Sequence, residues 1–177
     1  MKLPKSILSL LIASAIAYYS CNSTKEMASE NPITNEITNP CSENGNSDSN
    51  YFRASANSTS SNINLAREKA LAEAKTQIAK QIINTTSLIA NKYAEEYKIA
   101  DKQAFAKKME QAANQTSDIV LKGISPTCEK YSETNGRYTA YVSTEISKQI
   151  VATELTKQTS NLIPDINVEI IKRITDE

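Results

Sequence analysis

Neither histidine nor tryptophan occurs anywhere in the 177 residues. The first absence removes the most chemistry. Imidazole is the usual general base near neutral pH and the commonest metal ligand. Without it, Ser-His-Asp and Cys-His arrangements, His-containing zinc sites and most metalloprotease motifs are impossible. The adjacent carboxylates Glu95 and Glu96 point to different sides of a helix and read as a solvated face. The expectation is a chain without catalytic residues, metal or cofactor. An excess of charge of one sign is lacking too: Lys+Arg and Asp+Glu both number 20. A nucleic-acid binder needs a basic face to displace counterions from phosphate, and no nucleic-acid partner is expected.

Long apolar runs are also scarce. The one candidate, Ile7 to Ala17, is about 11 residues long, whereas a helix needs roughly 20 to span a bilayer. It follows a short positive start in Lys2 and Lys5. Together these read as a secretory signal peptide over residues 1–20 rather than a permanent anchor. Removing it would leave the chain slightly acidic. Cys21, preceded by the small Ser20, stands where a bacterial lipoprotein signal ends. There the thiol takes a diacylglyceryl group and the cysteine becomes the new N-terminus. Each buried CH₂ contributes roughly 0.8 kcal/mol, so two or three acyl chains hold a protein firmly at a membrane. Tyr18 and Tyr19 stand where small or aliphatic residues are usual, which keeps an ordinary signal peptide with an unmodified Cys21 as the alternative. Asn22, rather than aspartate, follows the cysteine and favours an outer-membrane address.

Residues 21–50 are rich in Asn, Ser, Thr and Glu and have almost no aliphatic clusters. Such a segment cannot bury enough apolar surface to offset its ordering entropy, so it reads as a flexible tether. Asn44, Asn46, Asp48 and Asn50 alternate around Gly45 like the start of a calcium loop. The closing bidentate glutamate is missing, and a polar linker is the better reading. Two cysteines remain, Cys41 and Cys128. In an oxidising compartment they are expected to pair and to pin the end of the tether against the sheet. The alternative is two free thiols, since sequence supplies no distance.

Residues 51–177 read as one α+β domain. Tyr51 to Ser58 alternates as a half-buried strand, with Phe52, Ala54 and Ala56 inward. Ala66, Ala70, Ala74, Ile78 and Ile82 then recur every four residues, predicting a long amphipathic helix from Ile63 to about Tyr97. A second helix is expected from Asp101 to about Gln115, with Ala104, Phe105, the Lys108 stem, Met109, Ala112 and Ala113 on its apolar face. Asp118–Tyr131 and Arg137–Ile146 read as strands joined at Asn135-Gly136, a pair suited to a type I′ turn. Gly123 and Pro126 mark a bulge or an edge position in the first of these. Ser147 to Leu162 reads as a last helix, with Ile150, Val151, Leu155 and Leu162 inward. Ile166 to Ile174 fits a strand or a helix equally. Connectivity favours strand order 1-3-2, all antiparallel, with helices on one face: a two-layer α+β sandwich.

With the cysteine and tether in place, Tyr51-Phe52-Arg53-Ala54-Ser55, Leu65-Ala66-Arg67-Glu68-Lys69-Ala70-Leu71 and Gly136-Arg137-Tyr138-Thr139-Ala140-Tyr141-Val142 resemble the Lpp-twenty lipoprotein family. The resemblance covers about Tyr51 to Ser147. It implies a lipoprotein of the outer membrane or surface, a β-α-β-β core that varies the dodecin fold, and no catalytic residues. The expected function is non-enzymatic: a lipid-anchored envelope protein with a structural or partner-binding role. Its expected partners are the membrane, through Cys21, and an envelope protein or a second copy. Tyr51 and Tyr141, on outward strand positions, are the expected contact residues, with burial as the alternative. An oligomeric, dodecin-like small-molecule binder is the second reading.

Overall fold

Alternation builds the sheet. In β1 (Tyr51–Ser60) Phe52, Ala54 and Ala56 are buried, while Tyr51, Arg53 and Ser55 are half-buried. β2 (Pro126–Thr134) and β3 (Arg137–Ser147) form the hairpin. It turns at Asn135 (φ 52°) and Gly136 (φ 72°), the left-handed pair that a type I′ turn requires. The computed structural model, which describes residues 39–163 and 169–176, orders the strands β1-β3-β2, all antiparallel. This is the two-layer α+β sandwich and strand order that connectivity favoured. β1 pairs with β3 without interruption, from Tyr51 opposite Ser147 to Ser60 opposite Tyr138. The hydroxyls of Thr59 and Thr139 meet at 2.8 Å across this pair, so β1 runs two residues past its expected end at Ser58.

Two helices follow β1. Asn62 caps α1 (Ile63–Glu96) by accepting from the N–H groups of Asn64 and Leu65. The buried face of α1 changes in kind along its length. Ala66 and Ala70 pack on Ala140 and Val142 of β3. Further on, Ile78, Ile82, Ile89 and Tyr93 fill the space among the other helices. At 34 residues α1 is about 51 Å long, whereas the 10-residue β1 covers about 33 Å, so the helix overhangs the sheet. The overhang is covered by α2 (Lys102–Val120) and α4 (Glu169–Asp176), with α3 (Lys148–Leu162) packed on both of these. Phe105 and Met109 of α2, Val151 and Leu155 of α3, and Ile170 and Ile171 of α4 share one core with α1. Glu96 at the end of α1 pairs with Arg173 of α4 at 2.8 Å.

Three local expectations are corrected and one open choice is decided. Asp118 to Val120 belongs to α2 and not to a strand. The β-branched Ile119 and Val120 favour extended backbone, but Ala113, Ser117 and Leu121 are all buried at four-residue spacing, and that stripe carries the helix on. Ser117 supports it by donating to the Ala113 carbonyl at 2.8 Å. The strand starts only at Pro126, where a missing N–H is tolerated on an edge, and its register shifts between Pro126 and Cys128. Ile150 of α3 is 53% exposed rather than inward, one position off the Val151–Leu155 stripe. Ala104 and Lys108 of α2 face solvent, leaving Phe105, Met109, Ala112 and Ala113 as its apolar face. The tail, left open between strand and helix, is helical over Glu169–Asp176.

The alanines under the sheet generate a prediction. Ala70 is fully buried against Ala140 and Val142. Ala70→Leu adds three carbons where backbones are close, which costs about 1–3 kcal/mol. For a domain of this size that lowers the melting temperature by roughly 2–8 °C, read by circular dichroism. Glu73→Leu, on the solvated side of the same helix, is expected to change it little.

Candidate functional site

The sheet has a second face. Alternation in β3 sends Ala140, Val142 and Ile146 to the helices and Tyr141, Ser143 and Glu145 to the other side. Yet Tyr141 is 5% exposed and Ser143 fully buried. What covers this face is the segment before β1. Residues 39–50 form a strap, with a 3₁₀ turn at Ser42–Gly45, that packs against β1 and β3. Cys41 is fully buried and bonded to Cys128 of β2, with sulfurs 2.05 Å apart. The two expected partners are thus brought together, and the end of the polar segment lies on the sheet rather than in a free tether.

Each contact of the strap has a local cause. Gly45 approaches β1 so closely that a Cβ there would sit 2.5 Å from the Ser55 Oγ and 2.7 Å from its Cβ. Only glycine fits that approach. Ser47 Oγ accepts from the Arg53 N–H at 2.8 Å and donates to Gln81 Oε1 at 2.7 Å, while Gln81 Nε2 donates to the Arg53 carbonyl at 2.8 Å. Asp48 Oδ1 accepts from the N–H groups of Asn50 and Tyr51 at 2.7 and 2.9 Å, an Asx turn. Its other oxygen pairs with Arg53, whose Nε donates to Glu145 at 2.6 Å. The Asp48 carboxylate is therefore committed to holding the strap, which disposes of the calcium-like reading. No group of three His, Cys, Asp or Glu able to hold a metal occurs among the described residues.

The expected contact residues are placed differently. Tyr141 is buried under the strap, and Tyr51 is half-buried with the Arg53 guanidinium 4.8 Å from its ring centroid. Exposed apolar groups lie elsewhere. Ile119 and Ile150 are 46% and 53% exposed and line a groove of about 350 Å³ between the end of α2 and α3. Tyr131, on the edge strand, donates to Glu129, which also accepts from Arg67 at 2.8 Å. Burial and the neighbouring carboxylate push the Tyr131 phenol above its ordinary range. The residues missed by sequence reasoning are Gly45, Ser47 and Arg53. The Asp48-Ser49-Asn50 pattern signals the turn, but Arg53 meets Glu145 only through the strand register. Residues 1–20, where a signal peptide is expected, and Cys21 lie outside the described residues. No described helix is long and apolar enough to cross a membrane.

Two predictions arise from the strap. Cys41→Ser with Cys128→Ser opens a link between positions 87 apart, and the expected loss is about 2–4 kcal/mol in urea unfolding. Native helix content is expected to survive, because the helices pack on the opposite face. The second concerns acid. The hydrogen bond from Arg53, and next that from the Asn50 N–H, hold the Asp48 carboxyl below its ordinary 3.8. A carboxyl depressed in the folded state contributes stability above its unfolded pKa and loses it as pH falls through the folded value. The strap therefore stays attached above about pH 4 and loosens at lower pH. The amide shifts of Asn50 and Tyr51 are expected to titrate with a midpoint below 3.8, and Arg53→Gln is expected to raise that midpoint.

In comparisons with known proteins, the chain matches no protein-family model, no curated protein and no solved structure.

Proposed function

We propose that the protein is exported and lipid-anchored through Cys21, with a non-enzymatic, structural or partner-binding role in the bacterial envelope at the outer membrane. The observation that carries this reading is the Cys41–Cys128 bridge. Thiols stay reduced in the cytosol and pair in exported proteins. A fully buried Cys41 joined to a strand 87 positions away fits a chain that folds in an oxidising compartment. The signal-like start at Lys2 to Ala17 would deliver it there. The resemblance of the Tyr51–Ser55, Leu65–Leu71 and Gly136–Val142 segments to Lpp-twenty lipoproteins supports the same address. In this reading the acyl chains fix the location and residues 22–38 give reach. The strap then transmits any pull into the sheet through a covalent bond.

Labelling cells that make the full chain with an alkyne fatty acid tests it. The wild-type protein is expected to take the label, to sediment with membranes and to have lost residues 1–20 by intact mass. Cys21→Ala is expected to lose the label and appear in the soluble fraction. A wild-type protein that carries no lipid, or that keeps its first twenty residues, sinks the reading.

A further inference from the structure

Helix α3 opens on a lysine whose side chain is largely buried. Lys148 is 6% exposed, although lysine is almost never so buried unless paired. Its ammonium offers three donors and no acceptor. No described carboxylate lies within ion-pair distance of Nζ, and no described oxygen accepts from it. Its close neighbour is the Phe52 ring, with the centroid 5.4 Å from Nζ. A ring face alone is a weak partner for an ammonium that keeps some contact with solvent. Asp48 is nearby in the strap, but its carboxylate is taken by Arg53 and two backbone N–H groups.

Two hollows meet at this lysine. One, of about 570 Å³, lies between the strap, β1 and the middle of α1. Ser47, Ser49, Gln81, Asn84 and Thr85 give it polar groups, the Arg53-paired Asp48 adds a carboxylate, and Phe52 and Leu88 give it an apolar wall. Leu88 is 58% exposed, an apolar surface left facing water. The other hollow, of about 280 Å³, sits over the first turn of α3 at Ser147, Lys148 and Gln149. A helix start carries partial positive charge, and it acts here through its field, because the Lys148 and Gln149 N–H groups already donate to the Asn50 carbonyl and to Ser147 Oγ. Lys148 and Ser49 line both hollows.

We propose that Lys148 is the cation of a binding site for a small organic anion: a carboxylate next to an amide and a compact apolar group. The carboxylate sits at Lys148 and the start of α3. The amide meets Asn84, Thr85 and Ser49, and the apolar group lies on Phe52 and Leu88. The larger hollow is within the roughly 300–1,000 Å³ of ordinary small-molecule sites. Such a group is presented by a free N-acylated apolar amino acid or by the last residue of a peptide. The site does not depend on lipid at Cys21, so it stands or falls separately from the envelope reading.

Calorimetric titration of the full chain, in a neutral detergent, tests the site. N-acetyl-L-leucine is expected to bind saturably, and its uncharged carboxamide at least about tenfold more weakly. Lys148→Met, which keeps the stem on Phe52, is expected to lose about tenfold in affinity, whereas Lys157→Met at an exposed position loses none. If Lys148→Met does not fold, the acid-against-carboxamide comparison on the wild type still decides. An N-acetylated tripeptide ending in leucine separates the sources. Tighter binding than N-acetyl-leucine supports the site with a peptide end as its ligand, and weaker binding supports it with a free amino acid derivative. Equal binding of acid and carboxamide, no binding up to about 10 mM, or inorganic phosphate binding as well as N-acetyl-leucine overturns the proposal.

Discussion

A helix that carries alanine at three successive contact positions can lie closer to a sheet than one that carries leucine. Ala66, Ala70 and Ala74 put α1 in that close position, and much of the architecture follows from it. The facing strand positions are small as well, Ala54 and Ala56 in β1 and Ala140 in β3. With little side-chain volume between the layers, the sheet region alone buries only a modest apolar area. Larger groups are concentrated farther along α1, where Ile82 and Ile89 share one core with Met109, Leu155 and Ile170. The overhang of α1 is thus a second half of the same core, and α2, α3 and α4 exist to close it.

The two sides of the sheet are held by different physics. On the helix side the hydrophobic effect dominates and no specific polar contact is needed. On the other side there is too little apolar surface for that. The strap is held by a covalent bond, an Asx turn, a glycine in close approach and a guanidinium shared between two carboxylates. Exposed ion pairs of this kind contribute little singly. Here they act on a chain whose far end is already fixed at Cys41, so the entropy lost in forming each one is smaller.

How much of this was readable beforehand depended on period. The strands, the long helix and the hairpin were legible because alternation, four-residue spacing and Asn135-Gly136 are local signals. The strand order followed from connectivity. Where two local signals competed, at Ile119 and Val120, β-branching pointed to a strand and the Ala113–Ser117–Leu121 stripe to a helix, and burial decided for the stripe. The strap was only half legible. Its cysteine could be paired in principle, but a polar stretch gives no sign of what it rests on. Tyr141 was misplaced for that reason: a residue on the outward side of a strand is exposed only if nothing comes back to cover it. Lys148 escaped notice because burial of a lysine is a property of the assembled fold.

A three-stranded sheet leaves two borders whose unsatisfied amides could recruit a strand from another molecule. Self-assembly through such borders is a hazard for any protein with an open sheet. The ring of Arg53, Ser47 and Gln81 blocks part of one of them, because the Arg53 N–H and carbonyl that a foreign strand would need are already engaged. At the opposite border Glu129, Lys130 and Glu133 place charge along β2, and Pro126 withholds an amide at its start. The small polar bonds of the strap thus have a consequence beyond their energies: they take up main-chain groups at a border where a neighbouring strand would otherwise pair.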